Sequence, residues 1–203
     1  MPKMGSRTIE GFLGELASAS ATPGGGSVAA LTGAIASDLG CMVCRLTLKK
    51  TPRDELEQLL VHFSSLEGAF LELADADEAA FSEVMNAYRL DRNDGRRPAM
   101  IASAFLGATA VPQRVAEKGI DLLEHLCALT PLGSKQSVSD VGVAVHLAQA
   151  TVRSALLNIR INLAYMRDEA EIERINMIAE ALDKKCSALS EQAISSVTGR
   201  ISR

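Results

Sequence analysis

Apolar residues recur along most of this chain at intervals of three and four, the spacing that places them on one face of a helix. Ile9, Phe12, Leu13 and Leu16 predict a short amphipathic helix over residues 9–18. From Val28 to Leu48 small and apolar residues run almost without interruption, which predicts a helix covered on nearly every side. Asp38 and Arg45 break this stretch, and Thr32, Gly33, Ser37 and Gly40 make it rich in small residues, so it reads as the middle of a soluble bundle rather than a membrane span. Lys49-Lys50-Thr51-Pro52 then places cations and a proline where a helix should stop. A third, long helix is predicted from Arg53 to Tyr88, with Leu56, Leu59, Leu60, Phe63, Leu66, Phe70, Leu73, Phe81, Val84, Met85 and Tyr88 on its stripe.

Asp91-Arg92-Asn93-Asp94-Gly95 is a turn cluster, and Pro98 suits the first turn of the helix that follows, over about 99–129. Pro112 should break or kink that helix, because it lacks an N–H and crowds the preceding turn. Thr130 to Gln136 reads as the longest loop. Ser137-Val138-Ser139-Asp140 resembles a capping box opening a helix that reaches Met166. A last helix spans Arg167 to about Val197, with Ile172, Ile175, Ile178, Ala179, Leu182, Leu189 and Ile194 along one side. Alternating strand patterns and internal repeats are absent from the sequence. The expected fold is all-α, a compact multi-helix bundle around a central buried helix, forming one domain over 1–203.

Composition sharpens this picture. The chain has 203 residues, 47% hydrophobic but only 3% aromatic and without Trp, so Ala, Leu, Ile and Val must build the core by close helix packing. A formal net charge of −4, with no basic cluster interleaved with aromatics, argues against nucleic-acid binding. The four cysteines are too sparse for a disulfide scaffold, and Met1 to Arg7 lacks the apolar stretch of a signal peptide, so a reducing cytoplasm is expected. Cys41 and Cys44 form a C-x-x-C inside an apolar helix with neither a second pair nor a nearby His, which predicts buried thiols and no metal.

Three features carry candidate chemistry. In Thr22-Pro23-Gly24-Gly25-Gly26-Ser27, consecutive glycines imply a positive φ or a close backbone approach, with Ser27 placed to cap the next helix. The run reads equally as a tight connector or as a ligand-facing helix start with free N–H groups. Asp77 falls on the apolar stripe of the third helix, four residues from both Leu73 and Phe81, while Asp75 points elsewhere, toward solvent. An acid among apolar side chains either pairs with a neighbouring helix or has its pKa raised, as proton transfer near neutral pH requires. Asn158 and Asn162 lie one turn apart on a small-residue face, and serve either interhelical hydrogen bonds or a ligand. Asp140 in a first helical turn is explained by the macrodipole alone, and His62, His125 and His146 do not cluster in sequence.

These positions coincide with a family pattern. The chain resembles the cyclodeaminase/cyclohydrolase family: the C-terminal domain of formiminotransferase-cyclodeaminase and its free-standing bacterial relatives, methenyltetrahydrofolate cyclohydrolases included. Five ordered blocks carry the likeness: Thr22 to Ala30, Asp75-Ala76-Asp77 with Ala80-Phe81, Ala110-Val111-Pro112, Ser139-Asp140 with Val143-Ala144, and Asn158 to Leu163. The resemblance implies an all-helical homodimer acting on a one-carbon derivative of tetrahydrofolate, with Asp77 as the catalytic proton-transfer group and no metal or cofactor. It also implies Pro23, Gly24, Gly25, Gly26, Ser27, Asp140, Asn158 and Asn162 as substrate-binding residues. The stretch Asp91 to Arg97 is shorter than usual for the family, and Ser154 replaces a common glycine. The first reading is a cyclodeaminase that converts 5-formiminotetrahydrofolate to 5,10-methenyltetrahydrofolate and ammonia. The alternatives are the cyclohydrolase and a helical interaction module without chemistry. Arg45, Lys49, Lys135 and Arg160 are candidates for holding the folate tail.

Overall fold

The structure, a computed structural model, describes residues 3–202. Six α-helices follow one another among the described residues: α1 (Ile9–Leu16), α2 (Gly25–Leu48), α3 (Asp54–Arg89), α4 (Arg97–Leu132), α5 (Val138–Leu163) and α6 (Glu169–Ile201). Single 3-10 turns precede α1, at Met4–Ser6, and α5, at Lys135–Ser137. Strands are absent among the described residues. Helices α2, α3, α4 and α5 form a closed ring in which each packs on the next, α5 returning to α2, and α6 lies outside against α4 and α5. The predicted central helix is α2, which also touches α4 across the ring. Its 18-residue apolar window is 61% buried within the bundle.

The α2–α3 contact explains why α2 is made of small residues. A Cβ on Gly40 would lie 2.9 Å from the Phe63 ring, and one on Gly33 would lie 2.6 Å from Phe70. Real Cβ atoms do not come that close, so two aromatic rings of α3 rest directly on α2 backbone at glycine seats seven residues apart. That register recurs once more, nearer the start of α2, and there it creates the site described below.

Several boundaries differ from expectation for local reasons. Helix α4 runs unbroken through Pro112 and Pro131 to Leu132, so the loop expected at 130–136 shrinks to Gly133-Ser134 and a 3-10 turn. Proline at 112 frees the carbonyl of Ala108, and the Asn162 side chain donates to that oxygen at 2.9 Å, supplying the missing bond. At the far end, the Arg200 guanidinium donates to the carbonyls of Thr130 and Gly133 and caps α4. Ser137 does open α5, but its hydroxyl bonds to Ser134 Oγ at 2.7 Å instead of closing a capping box. In α1 only Phe12 is buried, whereas Ile9 is 81% exposed.

Candidate active site

The three glycines adopt no positive φ, so close approach is what they serve. Helix α2 starts at Gly25 with Gly24 as its N-cap, and no side chain caps it. Ser27 therefore lies inside the first turn, correcting the expectation that it caps the helix. Its buried hydroxyl donates to Asp77 Oδ2 at 2.8 Å. A Cβ on Gly26 would fall within 2.7 Å of Oδ1, Cγ and Oδ2 of Asp77 together. The carboxylate from α3 thus occupies the third glycine seat of α2, seven residues before Gly33, and stands where a capping side chain would otherwise sit.

This acid has two different surroundings. Behind it, Ala29, Val111, Pro112, Val115 and Ala155 form an apolar wall. In front, a cavity of about 520 Å³ is bounded by Gly24, Gly25, Gly26, Asn158 and Asn162 and by an arc of Phe81, Val84, Met85, Tyr88, Phe105 and Tyr165. Burial pushes the Asp77 carboxyl above its ordinary value, more strongly than the hydrogen bonds from the Ser27 hydroxyl and backbone pull it down, and the charge of Glu78 adds to the rise. A carboxyl with a raised pKa, one face dry and the other on a cavity, holds a proton more readily than an exposed aspartate and is positioned to exchange it with the cavity.

Both asparagines line this cavity, and each NH2 group is engaged by backbone: Asn158 donates to Ser154 O at 2.9 Å and Asn162 to Ala108 O at 2.9 Å. Their Oδ1 atoms remain as acceptors, with that of Asn158 3.7 Å from the position of a Cβ on Gly25. Each amide thus makes a structural bond and also lines the cavity.

Other predicted positions fall elsewhere. Pro23 is buried in the turn, joined to Thr22 by a cis peptide, and does not line the cavity. Asp140 stands in the first turn of α5, eighteen residues from Asn158 and so about 27 Å along the axis at 1.5 Å per residue. It is outside the cavity, at a position the macrodipole favours. Arg45, Lys49, Lys135 and Arg160 are absent from the cavity walls as well. Phe81, expected in the core, is 37% exposed and faces the cavity with Met85 and Tyr88.

Sequence reasoning missed the support beside the acid. Glu78 is 8% exposed and receives two hydrogen bonds from the Arg7 guanidinium, at 2.8 and 2.7 Å, while Arg7 also reaches Glu15 at 3.1 Å. Asp75 is not left to solvent, since Met4 N–H donates to its Oδ1 at 2.8 Å. The run Asp75–Glu78 thereby pins the N-terminal segment across α3. Its acidic spacing was visible, but the partners lie 71 residues away in the chain.

Away from this cavity, His62 and His125 do meet, with ring centroids 4.4 Å apart beside a hollow of about 650 Å³, and His125 Nδ1 lies 2.7 Å from Asp121 O. The four cysteines are free, and burial pushes the Cys44 thiol up to about 12. Among the described residues, no group of three or more His, Cys, Asp or Glu is placed to hold a metal.

The chain is similar over most of its length to known proteins. The family model described as formiminotransferase-cyclodeaminase matches residues 8–181. A methenyltetrahydrofolate cyclohydrolase of Methylorubrum extorquens is 37% identical, the match covering 97% of this chain and 99% of that protein. The formimidoyltransferase-cyclodeaminase of Mus musculus is 29% identical over 95% of this chain, which spans only 37% of that longer protein. The crystal structure of a formiminotetrahydrofolate cyclodeaminase from Thermotoga maritima superposes with a TM-score of 0.88 at 26% identity, covering 96% of this chain and 98% of that one.

Proposed function

Because this chain belongs to the formiminotransferase-cyclodeaminase family, we propose that it is an enzyme of folate one-carbon metabolism whose proton-transfer group is Asp77. The observation that carries this reading is the seating of Asp77 on Gly26, between an apolar wall and a cavity. A relative matched nearly end to end at 37% identity is named as the cyclohydrolase, and that identity supports hydrolysis as the first reading. Cyclodeamination is the second reading, favoured by the named Thermotoga structure.

In the hydrolytic reaction water adds to the methenyl carbon bridging N5 and N10. The Asp77 carboxylate takes a proton from that water as its oxygen bonds to carbon, and its raised pKa makes it a better base than an exposed aspartate. The tetrahedral carbon then holds N5, N10 and a hydroxyl. As its bond to N5 breaks, Asp77 returns its proton to that nitrogen while the hydroxyl gives up its own proton to solvent and becomes the formyl C=O, so 10-formyltetrahydrofolate forms with net release of one proton. In cyclodeamination N10 attacks the formimino carbon and its proton passes to the formimino nitrogen; the same carboxyl, protonated, then gives the resulting amino group the proton with which it departs as ammonia, leaving the methenyl cation. The Oδ1 atoms of Asn158 and Asn162 would accept from ring N–H groups of the pterin, and the glycine backbone at 24–26 leaves room for it. These steps require no metal or cofactor.

We further propose a homodimer in the cytoplasm. Leu157 and Ile161 are 63% and 55% exposed on α5, Ile161 also lining the cavity, and a second copy would cover them, while the free thiols suit a reducing compartment. Purified protein is to be tested with both folates. Methenyltetrahydrofolate absorbance disappears if hydrolysis is the activity and appears from 5-formiminotetrahydrofolate if cyclodeamination is. Asp77→Asn should fold and lose roughly 10²–10⁴-fold in turnover. Wild-type protein that neither turns over nor binds either folate would leave a helical interaction module in place of an enzyme.

A further inference from the structure

Next to the Asp77 cavity lies a second one, of about 740 Å³, and the two share Tyr88 and Tyr165 as walls. Aromatic rings lead from one to the other. Phe105 stacks on Tyr165 with centroids 5.2 Å apart at 13°, and Tyr88 meets Phe105 edge-on at 6.1 Å. The second cavity is walled by Arg97 and Arg167. Arg97 lies over the Tyr88 ring, its Cζ 5.7 Å from the centroid, and Nη2 donates to Tyr88 O at 3.3 Å. Its Nε is buried without a hydrogen-bond partner.

A buried guanidinium N–H without an acceptor is costly, and the planar fork of arginine matches a carboxylate with two parallel bonds. Among the described residues no carboxylate of the protein lies within ion-pair distance of Arg97 or Arg167. The acids on the far wall are engaged. Arg174 holds Glu171 at 2.6 and 2.7 Å, and Asp168 accepts from Glu171 N–H at 3.1 Å. Both guanidinium groups thus stand at the cavity wall with no carboxylate of the described residues to hold them, and an anion entering the cavity would meet them.

We infer that this second cavity is the carboxylate site of the enzyme, where Arg97, with Arg167, holds the anionic glutamate tail of the substrate. The inference rests on the folate reading above and deepens it. A tetrahydrofolate has three parts: a pterin with its one-carbon unit, a flat aminobenzoyl ring, and a tail bearing its only carboxylates. The structure offers matching surroundings in the same order: acid and amides, aromatic rings, cations. The tail cations proposed from sequence are thereby replaced by two arginines that neither spacing nor resemblance had singled out.

The test is the ratio of KM for methenyltetrahydropteroate, which lacks glutamate, to KM for 5,10-methenyltetrahydrofolate. In the wild type this ratio should be about tenfold or more, as expected for a charge-assisted pair. Arg97→Ala and Arg167→Ala should each reduce it, and the double variant should bring it close to one. Arg97→Lys, which retains charge but loses the fork, should give an intermediate ratio and guards against a folding defect in Arg97→Ala. A merely structural role for Arg97 would move both KM values together and leave the ratio as in the wild type. An unchanged ratio with active enzyme overturns the tail site alone. Wild-type protein inactive on both compounds and on their formimino counterparts overturns the folate reading and the tail site with it.

Discussion

Replacing Gly26 by alanine tests the central geometric claim most directly. The added Cβ would meet three atoms of the Asp77 carboxyl group within 2.7 Å, whereas ordinary contact begins near 3.4 Å. The carboxylate must retreat by most of an ångström or more, yet the wall of Ala29, Val111, Pro112, Val115 and Ala155 stands behind it. Retreat also stretches the 2.8 Å bond from Ser27. Overpacking of this kind costs about 1–3 kcal/mol, and the better helix propensity of alanine returns up to about 1 kcal/mol. A net loss of about 1–2 kcal/mol lowers Tm by roughly 2–8 °C in a chain of this size. Turnover should fall about 10²-fold, the usual consequence of misplacing a catalytic group by an ångström. Gly25→Ala is the matched comparison for stability, since its Cβ meets Asn158 only at 3.7 and 3.8 Å, and its Tm should hold or rise slightly. Melting curves by circular dichroism, with turnover followed by methenyl absorbance, read both effects. A Gly26→Ala protein with wild-type Tm and wild-type turnover would refute the seat.

Three further outcomes follow from individual contacts. Burial lifts the Asp77 carboxyl above its ordinary 3.8, so its contribution to stability is fully present below that pH and is lost as pH rises through the raised value. Asp77→Asn lacks that loss, so urea titrations should show the variant gaining on the wild type between pH 3.5 and pH 7, and a gap that is constant or reversed would contradict the burial argument. Asn162→Ala should cost about 1–3 kcal/mol by orphaning Ala108 O, and this cost should shrink in a Pro112→Ala background, where residue 112 supplies its own N–H. Arg7→Ala leaves Glu78 buried and unpaired and should cost about 3–5 kcal/mol, with Arg7→Ala/Glu78→Gln recovering most of it. Equal stability of these two variants would show that the charge of Glu78 is irrelevant.

Helix number, order and approximate extent were legible from periodicity, because each helix buries one stripe and the stripes repeat strongly. What escaped was decided by long-range partners. Helix α4 passes through Pro112 because Asn162, from α5, engages the carbonyl freed there, and Arg200, from α6, caps the carbonyls at the end of the helix just past Pro131. Asp77 was recognisable as a polar residue on an apolar stripe, and the glycine run as a place of close approach, but their union was not drawn from either alone. The signal was nonetheless present. Gly26, Gly33 and Gly40 are spaced by seven, as are Asp77, Phe70 and Phe63, and antiparallel pairing of α2 with α3 joins them member by member. The Arg7–Glu78 pair carried no comparable periodic signal.

That register explains how an acid comes to be buried at all. Two seats on α2 receive phenylalanine rings, which make the α2–α3 contact close and specific. The third seat, at the start of α2, lies where backbone N–H groups have no helical acceptor, so an acid can be received there as a ring could not. Asp77 therefore exchanges the packing that a phenylalanine would supply for hydrogen bonds from Ser27 and the proximity of a helix start. The exchange is incomplete, because burial still outweighs those bonds and holds the carboxyl above its ordinary value. A fully satisfied acid would be a structural anchor with a low pKa, and a fully apolar seat would extend the core. Because it is only partly satisfied and faces the cavity, Asp77 keeps its affinity for a proton, and a reacting carbon beside Gly26 is where that affinity would be used.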